Sequence, residues 1–248
     1  MKAQRLRVSG MAFLLVVTSF FACNAQQDNA LTKQEKKEGW LLLFDGKTLN
    51  GWRRIYTNDI PTRGWEVKDG CIVIEGAKGG ESTNVGDLAS GNQYRDFELS
   101  WEFKLAKNTN TGLKYYVDES LAGANSVASG YAFGLEYQMI DDLNHKGGPI
   151  GGKVAGLYEL IDASSDKEIR PFGEWNQARI ISKDNHIEHW LNGKKVLEYV
   201  RGSEEFKALV AKSKFKTASG YGLASQGYIV FQDHGGEASF KNIKIRTL

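Results

Sequence analysis

Residues 97–105 alternate between apolar and polar side chains through nine consecutive positions. Successive side chains on a strand point to opposite faces, so this segment is predicted to be one long strand with a single buried face. Its apolar positions are Phe97, Leu99, Trp101, Phe103 and Leu105. A strand of this kind is typical of an antiparallel sheet that packs one face against a core.

Two dipeptides predict tight hairpins. Asp69-Gly70 separates two apolar arms within residues 65–74, and Asn192-Gly193 separates two arms within residues 186–199. Both dipeptides readily adopt the positive φ angles that a type I′ turn requires. The chain is therefore expected to fold back on itself at both points.

Strand patterns recur along most of the chain, and one segment has a helix pattern. The additional predicted strands cover residues 112–117, 131–141, 177–182, 221–232 and 238–246. Residues 203–212 predict a helix, because Ser203 is a good N-cap and the apolar residues that follow share one face. Many short strands, turns between them and one short helix predict an all-β fold, a two-sheet antiparallel sandwich.

The N-terminus has the features of an export signal. Lys2, Arg5 and Arg7 precede an apolar run over residues 11–23 that is too short to span a bilayer. Removing residues 1–22 takes away these three positive charges and changes the formal charge from +2 to −1. The mature chain has no basic patch, so a nucleic-acid partner is not expected.

The apolar run ends in Phe-Phe-Ala-Cys, which resembles a bacterial lipoprotein box with Cys23 as the lipidated residue. The alternative is signal-peptidase cleavage after Ala25. We predict a signal peptide at 1–22, a polar lipoprotein tether at 23–38 and one domain at 39–248. The protein is then exported to the periplasm, outer membrane or cell surface and held by its lipid anchor alone. Lipidation would leave Cys71 without a disulfide partner.

Residues 131–141 place a carboxylate and an amide together on one strand face. The odd positions from Tyr131 to Met139 are apolar, so Glu136 and Gln138 share the other face, about 7 Å apart. The preceding even positions are small and leave the backbone accessible. We interpret this face as an open platform for a ligand. The alternative is a half-buried strand with an ordinary polar exterior.

Acid–base chemistry has two candidate residues in this sequence. Glu136 is the candidate base, because partial burial beside aromatic walls raises a carboxyl pKa. The alternative for Glu136 is a surface residue in a cross-strand pair. His234 ends a predicted strand before a glycine turn, where rigid scaffolds present side chains to ligands. The alternative for His234 is a turn histidine bonded to local backbone.

Other motifs are weaker. Lys114 is a candidate to neutralise a developing oxyanion, or else a solvated edge charge. Residues 141–145 contain the ligand types for a divalent cation but not a standard spacing. No cofactor is therefore expected, and the binding of a divalent cation is left as an alternative. The long irregular span 142–156 can fold over the platform. Phosphate loops, a nucleophile elbow, a zinc-protease helix and dinucleotide fingerprints are all absent from the sequence.

Several segments, taken in order, resemble one family. They are residues 39–52, 65–70, 110–115, 135–141, 155–158, 173–176, 189–193, 232–235 and 240–245. Their order and spacing are similar to those of the 3-keto-disaccharide hydrolase domain family, over about residues 39–248. The resemblance implies a concanavalin-like jelly-roll sandwich and a periplasmic or surface enzyme acting on oxidised sugars.

The reaction that this resemblance implies begins at the ketone. A C3 ketone acidifies the C2 hydrogen, a base removes it, and the enolate expels the glycosidic oxygen at C1 before water adds back. On this basis Glu136 is the base and His234 the acid or enolate donor. The predicted substrate-binding residues are Gln138, Asp141, Lys114, Tyr115 and Gln232. Lys114 and Thr111 replace the family's Arg and Ser, so a bidentate contact does not carry over.

Two other functions stay open at this point. A lectin-like binding module would use the same face for a glycan without chemistry. A two-carboxylate glycosidase needs its carboxyl groups about 5–9.5 Å apart. Gln138 stands where a partner carboxylate for Glu136 would be, which disfavours that alternative. The expected partner is a glycan or an oxidised disaccharide.

Overall fold

The computed structural model describes residues 27–76, 85–123, 127–128, 130–145 and 147–248. Within them, thirteen strands form two antiparallel sheets, and two α-helices lie outside the sheets. The jelly-roll sandwich predicted from the sequence is confirmed. No helix in the described ranges is long and apolar enough to cross a bilayer. The predicted signal peptide and Cys23 lie outside these residues.

The larger sheet has eight strands. They are β1 (Leu41–Leu42), β3 (Trp65–Lys68), β4 (Cys71–Ile74), β6 (Phe97–Leu105), β9 (Asn176–Lys183), β10 (His186–Leu191), β11 (Lys194–Val200) and β13 (Ala238–Thr247). Their order is β11-β10-β9-β6-β13-β4-β3, and β1 pairs with β13. Both predicted hairpins are confirmed, since Asp69-Gly70 joins β3 to β4 and Asn192-Gly193 joins β10 to β11, all four residues having positive φ.

The smaller sheet has five strands. They are β2 (Trp52–Arg54), β5 (Leu88–Tyr94), β7 (Asn110–Val117), β8 (Leu135–Ile140) and β12 (Gly227–Phe231), in the order β2-β5-β12-β7-β8. Strands β8 and β12 are shorter than the predicted 131–141 and 221–232. The helices are α1 (Lys33–Lys37) and α2 (Glu204–Lys212). The Ser203 hydroxyl accepts from Phe206 N and caps α2 as predicted.

The core lies between the two sheets. The odd positions of β6 are buried, as their alternation predicts, and they meet the odd positions of β8. The Trp101 ring centroid lies 5.0 Å from that of Tyr137, and its Nε1 donates to Met139 Sδ over 3.5 Å. The even positions of β8 therefore lie on the opposite face of the smaller sheet, away from the core.

The N-terminal segment lies on the outer face of the larger sheet. Asn29 N donates to Asn242 Oδ1 over 2.6 Å, and Asn242 N donates back to Asn29 Oδ1 over 2.9 Å. Within α1, Glu35 pairs with Lys244 of β13. Two residues of the predicted tether 23–38, Asn29 and Glu35, thus contact the larger sheet. The division of the chain into a tether at 23–38 and a domain at 39–248 stays a prediction.

Candidate active site

The outer face of the smaller sheet carries the candidate site. The register pairs Lys114 with Glu136 and Gly112 with Gln138, so these four residues form two adjacent rows on one face. On the other side of β7, Gln232 N donates to Gly112 O over 2.9 Å, which extends the second row beyond the end of β12. The strands thus collect Glu136, Gln138, Lys114 and Gln232 on one face, which is the face predicted for Glu136 and Gln138.

Gly112 creates the space for the Glu136 carboxylate. A Cβ atom on residue 112 would lie 2.2 Å from Glu136 Oε1, so the carboxylate occupies the room that any larger side chain would need. Glu136 therefore leans across the sheet towards β12. Only 3% of its surface is exposed, and burial raises the pKa of its carboxyl to about 6. Lys114, Lys214 and His234 act against this rise, and Asp87 adds to it.

His234 lies on the same face, next to Glu136. Its Nε2 is 3.4 Å from Nδ2 of Asn110, which occupies the outward position of β7 two residues before Gly112. Two residues of a strand span about 7 Å, so the imidazole and the carboxylate occupy neighbouring positions along β7. The electrostatic influence of His234 on Glu136 agrees with this proximity. The structure brings together the two residues predicted for acid–base chemistry.

Two buried polar atoms face this region without a hydrogen-bond partner in the described part of the chain. They are Asn110 Oδ1 and Gln232 Oε1. Buried acceptors of this kind cost about 1–3 kcal/mol each when unpaired, and native proteins keep few of them. Asn110 contacts the His234 ring through Nδ2, and Gln232 lies two residues before His234 in the chain. A polar ligand beside His234 would supply the missing donors.

Lys114, which is paired with Glu136 across β7 and β8, is buried. Its Nζ is 2.8 Å from Asp87 Oδ2, and the Tyr131 ring covers it with the centroid 3.8 Å away. Asp87 also accepts from Ala132 N and from Asp233 N, each over 3.0 Å. The alternative of a solvated edge charge for Lys114 is wrong. Asp87 joins the start of β5, strand β7 and the segment that carries His234.

The predicted open platform is corrected by the structure, because Glu136 and Gln138 are both buried. A segment after the long loop pairs with the free edge of β8. Gln138 N donates to Gly156 O over 3.1 Å, and Ala155 N donates to Gln138 O over 2.9 Å. Tyr131 departs from the predicted alternation and lies on the site face, over Lys114. The candidate site residues on β8 are thus covered by neighbouring groups and do not lie on an open flat surface.

Tyr115 does not reach the site, which corrects its predicted role in substrate binding. Adjacent residues of a strand point to opposite faces, and the outward position belongs to Lys114. The Tyr115 hydroxyl lies 2.7 Å from His189 Nε2 and 2.8 Å from the Tyr199 hydroxyl, inside the core. His189 Nδ1 donates to Ala155 O over 2.9 Å. This core network ties the segment that covers β8 to the interior of the sandwich.

Asp141 lies at the end of β8 with its carboxylate already bonded. Its Oδ2 accepts from Asn108 N over 2.9 Å and from Asn144 Nδ2 over 2.5 Å. Burial opposes ionisation here, but these hydrogen bonds hold the pKa of Asp141 below its ordinary value. Asp141 also lines a mostly apolar cavity of about 230 Å³ at this end of the sheet. Its immediate role is to shape the loop that follows β8.

The described residues contain one group of three side chains close enough to share a metal ion. It consists of His186, Glu188 and Glu198, on the outer face of β10 and β11. Lys195 Nζ lies 2.6 Å from Glu198 Oε2 and 3.4 Å from Glu188 Oε1. The carboxylates therefore already have a cation beside them. This group is far in sequence from residues 141–145, where the sequence left a cation open.

Sequence reasoning missed Asp87 and gave Asn110 no role. Asp87 follows a glycine outside any alternating segment and acts through partners distant in the sequence, so no local pattern identifies it. Asn110 stands within a segment that carries the family resemblance, and this was the available signal. The predicted roles of Glu136, His234, Gln138 and Gln232 stay predictions that the geometry permits.

Comparison with known proteins identifies similar sequences and folds. The model of the 3-keto-alpha-glucoside-1,2-lyase-like domain matches residues 39–246. The chain is 33% identical over 231 residues to a 3-keto-disaccharide hydrolase of Bacteroides thetaiotaomicron, covering 85% of this chain and 79% of that protein. A candidate glycosyl hydrolase of Parabacteroides distasonis, a solved structure, is 34% identical with a TM-score of 0.76, covering 90% of this chain and all of that one. A second such structure from that organism is 26% identical with a TM-score of 0.64, covering 84% and 99%.

Proposed function

The chain belongs to the family of 3-keto-alpha-glucoside-1,2-lyase-like domains, and from this we propose that it cleaves 3-keto-glycosides by elimination and hydration. The protein is an enzyme that acts on glycosidic bonds. What we propose is that its substrates carry a 3-keto group and that cleavage proceeds by elimination. One observation carries the proposal. The buried Glu136 carboxylate, with a pKa of about 6, leans over Gly112 on the same face as His234.

Glu136 is the base in this mechanism. A carboxylate with a pKa near the working pH is ionised often enough to act and basic enough to take a carbon-bound proton. Glu136 takes the proton from C2, and the electron pair moves into the C2–C3 bond as the ketone becomes an enolate. The enolate then returns its electrons, the C1–O bond breaks, and a double bond forms between C1 and C2.

His234 completes the reaction as the acid. Its imidazolium gives a proton to the departing glycosidic oxygen, which leaves as an alcohol. Water then adds across the new double bond, with hydroxide at C1 and a proton at C2, so the overall change is hydrolysis. Asn110 and Gln232 hold the sugar through the two buried acceptors beside His234. Their preferred partners are hydroxyl groups, which sugars supply.

The test compares a 3-keto disaccharide with its unoxidised parent in deuterated water. We expect release of a reducing sugar from the keto form only, with deuterium at C2 of the product. Glu136→Gln should lower kcat by about 10²–10⁴-fold, a typical loss for a general base. The exposed Glu75→Gln is the matched control. Equal cleavage of the parent, or product without deuterium at C2, contradicts the mechanism. A chelator in the same assay tests for a divalent cation.

We also propose that Cys23 is lipidated after export. The support from the structure is the place where the chain joins the domain. Residues 24–27 separate Cys23 from Asp28, whose carboxylate lies 2.8 Å from Lys241 Nζ on the larger sheet. The site on the smaller sheet would then face away from the membrane. Detergent-phase partitioning of the full chain, abolished by Cys23→Ala, tests this proposal; partitioning that survives the substitution contradicts it.

A further inference from the structure

The proposed reaction needs a cation near the ketone oxygen, and Lys114 is poorly placed to provide it. Enolate formation places negative charge on that oxygen, and a positioned positive group stabilises the charge. Lys114 is 1% exposed, and its ammonium lies between the Asp87 carboxylate and the Tyr131 ring. A substrate would have to displace one of them to reach it. The charge of Lys114 is balanced before any ligand arrives.

Tyr158 is the neighbour of Glu136 on the other side of β8. Tyr158 N donates to Glu136 O over 3.1 Å, and Leu157 pairs with Tyr137. Paired residues of antiparallel strands share a face, so Leu157 joins Tyr137 in the core and Tyr158 lies beside Glu136 on the site face. The Tyr158 side chain therefore forms a wall beside Glu136, on the side opposite Lys114.

Lys214 lies on this wall. Its Nζ is 3.1 Å from the Tyr158 hydroxyl and 4.3 Å from the Tyr158 ring centroid. Its carboxylate neighbour, Glu159, is further away, with Oε1 at 3.9 Å. The Lys214 side chain is 43% exposed, unlike that of Lys114. Its charge also reaches the site, because it is one of the groups that lower the pKa of Glu136 against the effect of burial.

On these contacts, and resting on the proposed function, we propose that Lys214 binds the oxygen of the substrate's 3-keto group as it becomes an enolate. The ketone is uncharged before the reaction and negatively charged in the transition state. An ammonium at its oxygen therefore gains most of its interaction energy as the proton leaves C2, which raises kcat more than it lowers KM. Tyr158 positions Lys214 and leaves its exposed ammonium free to turn towards the sugar.

The test compares Lys214→Met with Lys216→Met. Both lysines belong to the short 3-10 helix Lys214–Thr217, and Lys216 is exposed. We expect Lys214→Met to lower kcat on a 3-keto disaccharide by about 10–10³-fold with a smaller change in KM, as for the loss of one oxyanion donor. Lys216→Met should stay within about twofold of wild type, as expected for a surface change away from the chemistry.

A second measurement separates this role from a structural one. Removing the Lys214 charge should shift the acid limb of the pH profile of kcat/KM upwards, because Glu136 loses a cation that favours its ionised form. Lys214→Arg keeps the charge and should leave that limb in place. If Lys214→Met matches Lys216→Met in both readouts while wild type cleaves the keto substrate and Glu136→Gln does not, the inference is wrong and the proposed function stands. If wild type releases no sugar, both are wrong.

Discussion

Lys114 and Asp87 form a buried ion pair behind the candidate base, with Nζ 2.8 Å from Oδ2 and neither side chain more than 1% exposed. Asp87 receives two backbone hydrogen bonds in addition. The two backbone donors to the Asp87 carboxylate, Ala132 N and Asp233 N, thus belong to segments that build the site. Removing one partner leaves the other charged and buried.

We therefore expect Lys114→Met to destabilise the protein by about 3–5 kcal/mol, the usual cost of leaving one buried charge unpaired. The double variant Asp87→Asn with Lys114→Met should recover part of this loss, because no unpaired charge remains. Urea unfolding of the wild type, both single variants and the double variant measures the coupling energy. Additive losses would show that the two residues act independently.

Gly112→Ala should damage activity more than stability. The new methyl group would lie 2.2 Å from Glu136 Oε1, so the carboxylate has to rotate away from the face it shares with His234. The expected result is a fall in kcat of about tenfold or more, since small displacements of catalytic groups are costly. Gly123→Ala is the control, because its Cβ would meet no atom within 4 Å among the described residues. Unchanged kcat in Gly112→Ala would contradict the position given to Glu136.

Glu136→Gln should stabilise the protein at neutral pH while it removes activity. Burial raises the pKa of Glu136 from 4.5 to about 6, so ionisation of the folded protein is unfavourable. The wild type then loses about 2 kcal/mol of stability as the pH rises from about 4.5 to about 6 and stays lower above that range. Glu136→Gln lacks this loss. Unfolding free energies at pH 4 and pH 8 measure the difference, which should be small at pH 4.

His189 should make the protein sensitive to acid. Burial lowers the pKa of His189 from 6.5 to about 4, so the folded state binds this proton less readily than the unfolded state. Its contribution to stability is complete above about pH 6.5 and is lost as the pH falls towards about 4. His189→Leu should remove this dependence and cost about 1–3 kcal/mol, because Ala155 O loses the donor that His189 supplies, while the Tyr115 hydroxyl keeps Tyr199 as a partner.

Exposed His186→Leu serves as the control for that measurement. It should change the unfolding free energy by less than about 0.5 kcal/mol. Thermal melts of the three proteins between pH 4 and pH 8 give the comparison. A pH dependence that persists in His189→Leu would assign the acid sensitivity to another group.

Elements set by local pattern were predictable from the sequence. Strand β6, both I′ hairpins and the capped helix α2 each depend on residues close together in the chain. The sequence predicts partial burial of Glu136 but not the pairing of residues 155–158 with the free edge of β8, because that segment is irregular and has no strand pattern. Tyr131 was misplaced for a related reason. The strand begins at Leu135, so the alternation does not extend back to Tyr131.

The candidate site was predictable in part. Glu136, Gln138 and Lys114 follow from alternation within two strands, and the register between those strands confirms that they share a face. Adjacent residues of a strand point to opposite faces, so placing Lys114 on the site face puts Tyr115 on the core face. The prediction that Tyr115 binds substrate could therefore have been avoided. Asp87 and Lys214 act through contacts between segments far apart in sequence. Charges and aromatic rings of this kind have no sequence period, and only the fold brings them together.

The docking of Asn29 onto Asn242 has a practical consequence for handling the enzyme. The described chain starts on the larger sheet, and β13 returns its last residues to that sheet, where Leu248 N donates to Asp96 O over 3.1 Å. A bead, chip or fusion partner joined next to Asp28 or Leu248 would be attached on the side of the larger sheet. The outer face of the smaller sheet, which carries Glu136, lies on the other side of the sandwich and would point away from the support.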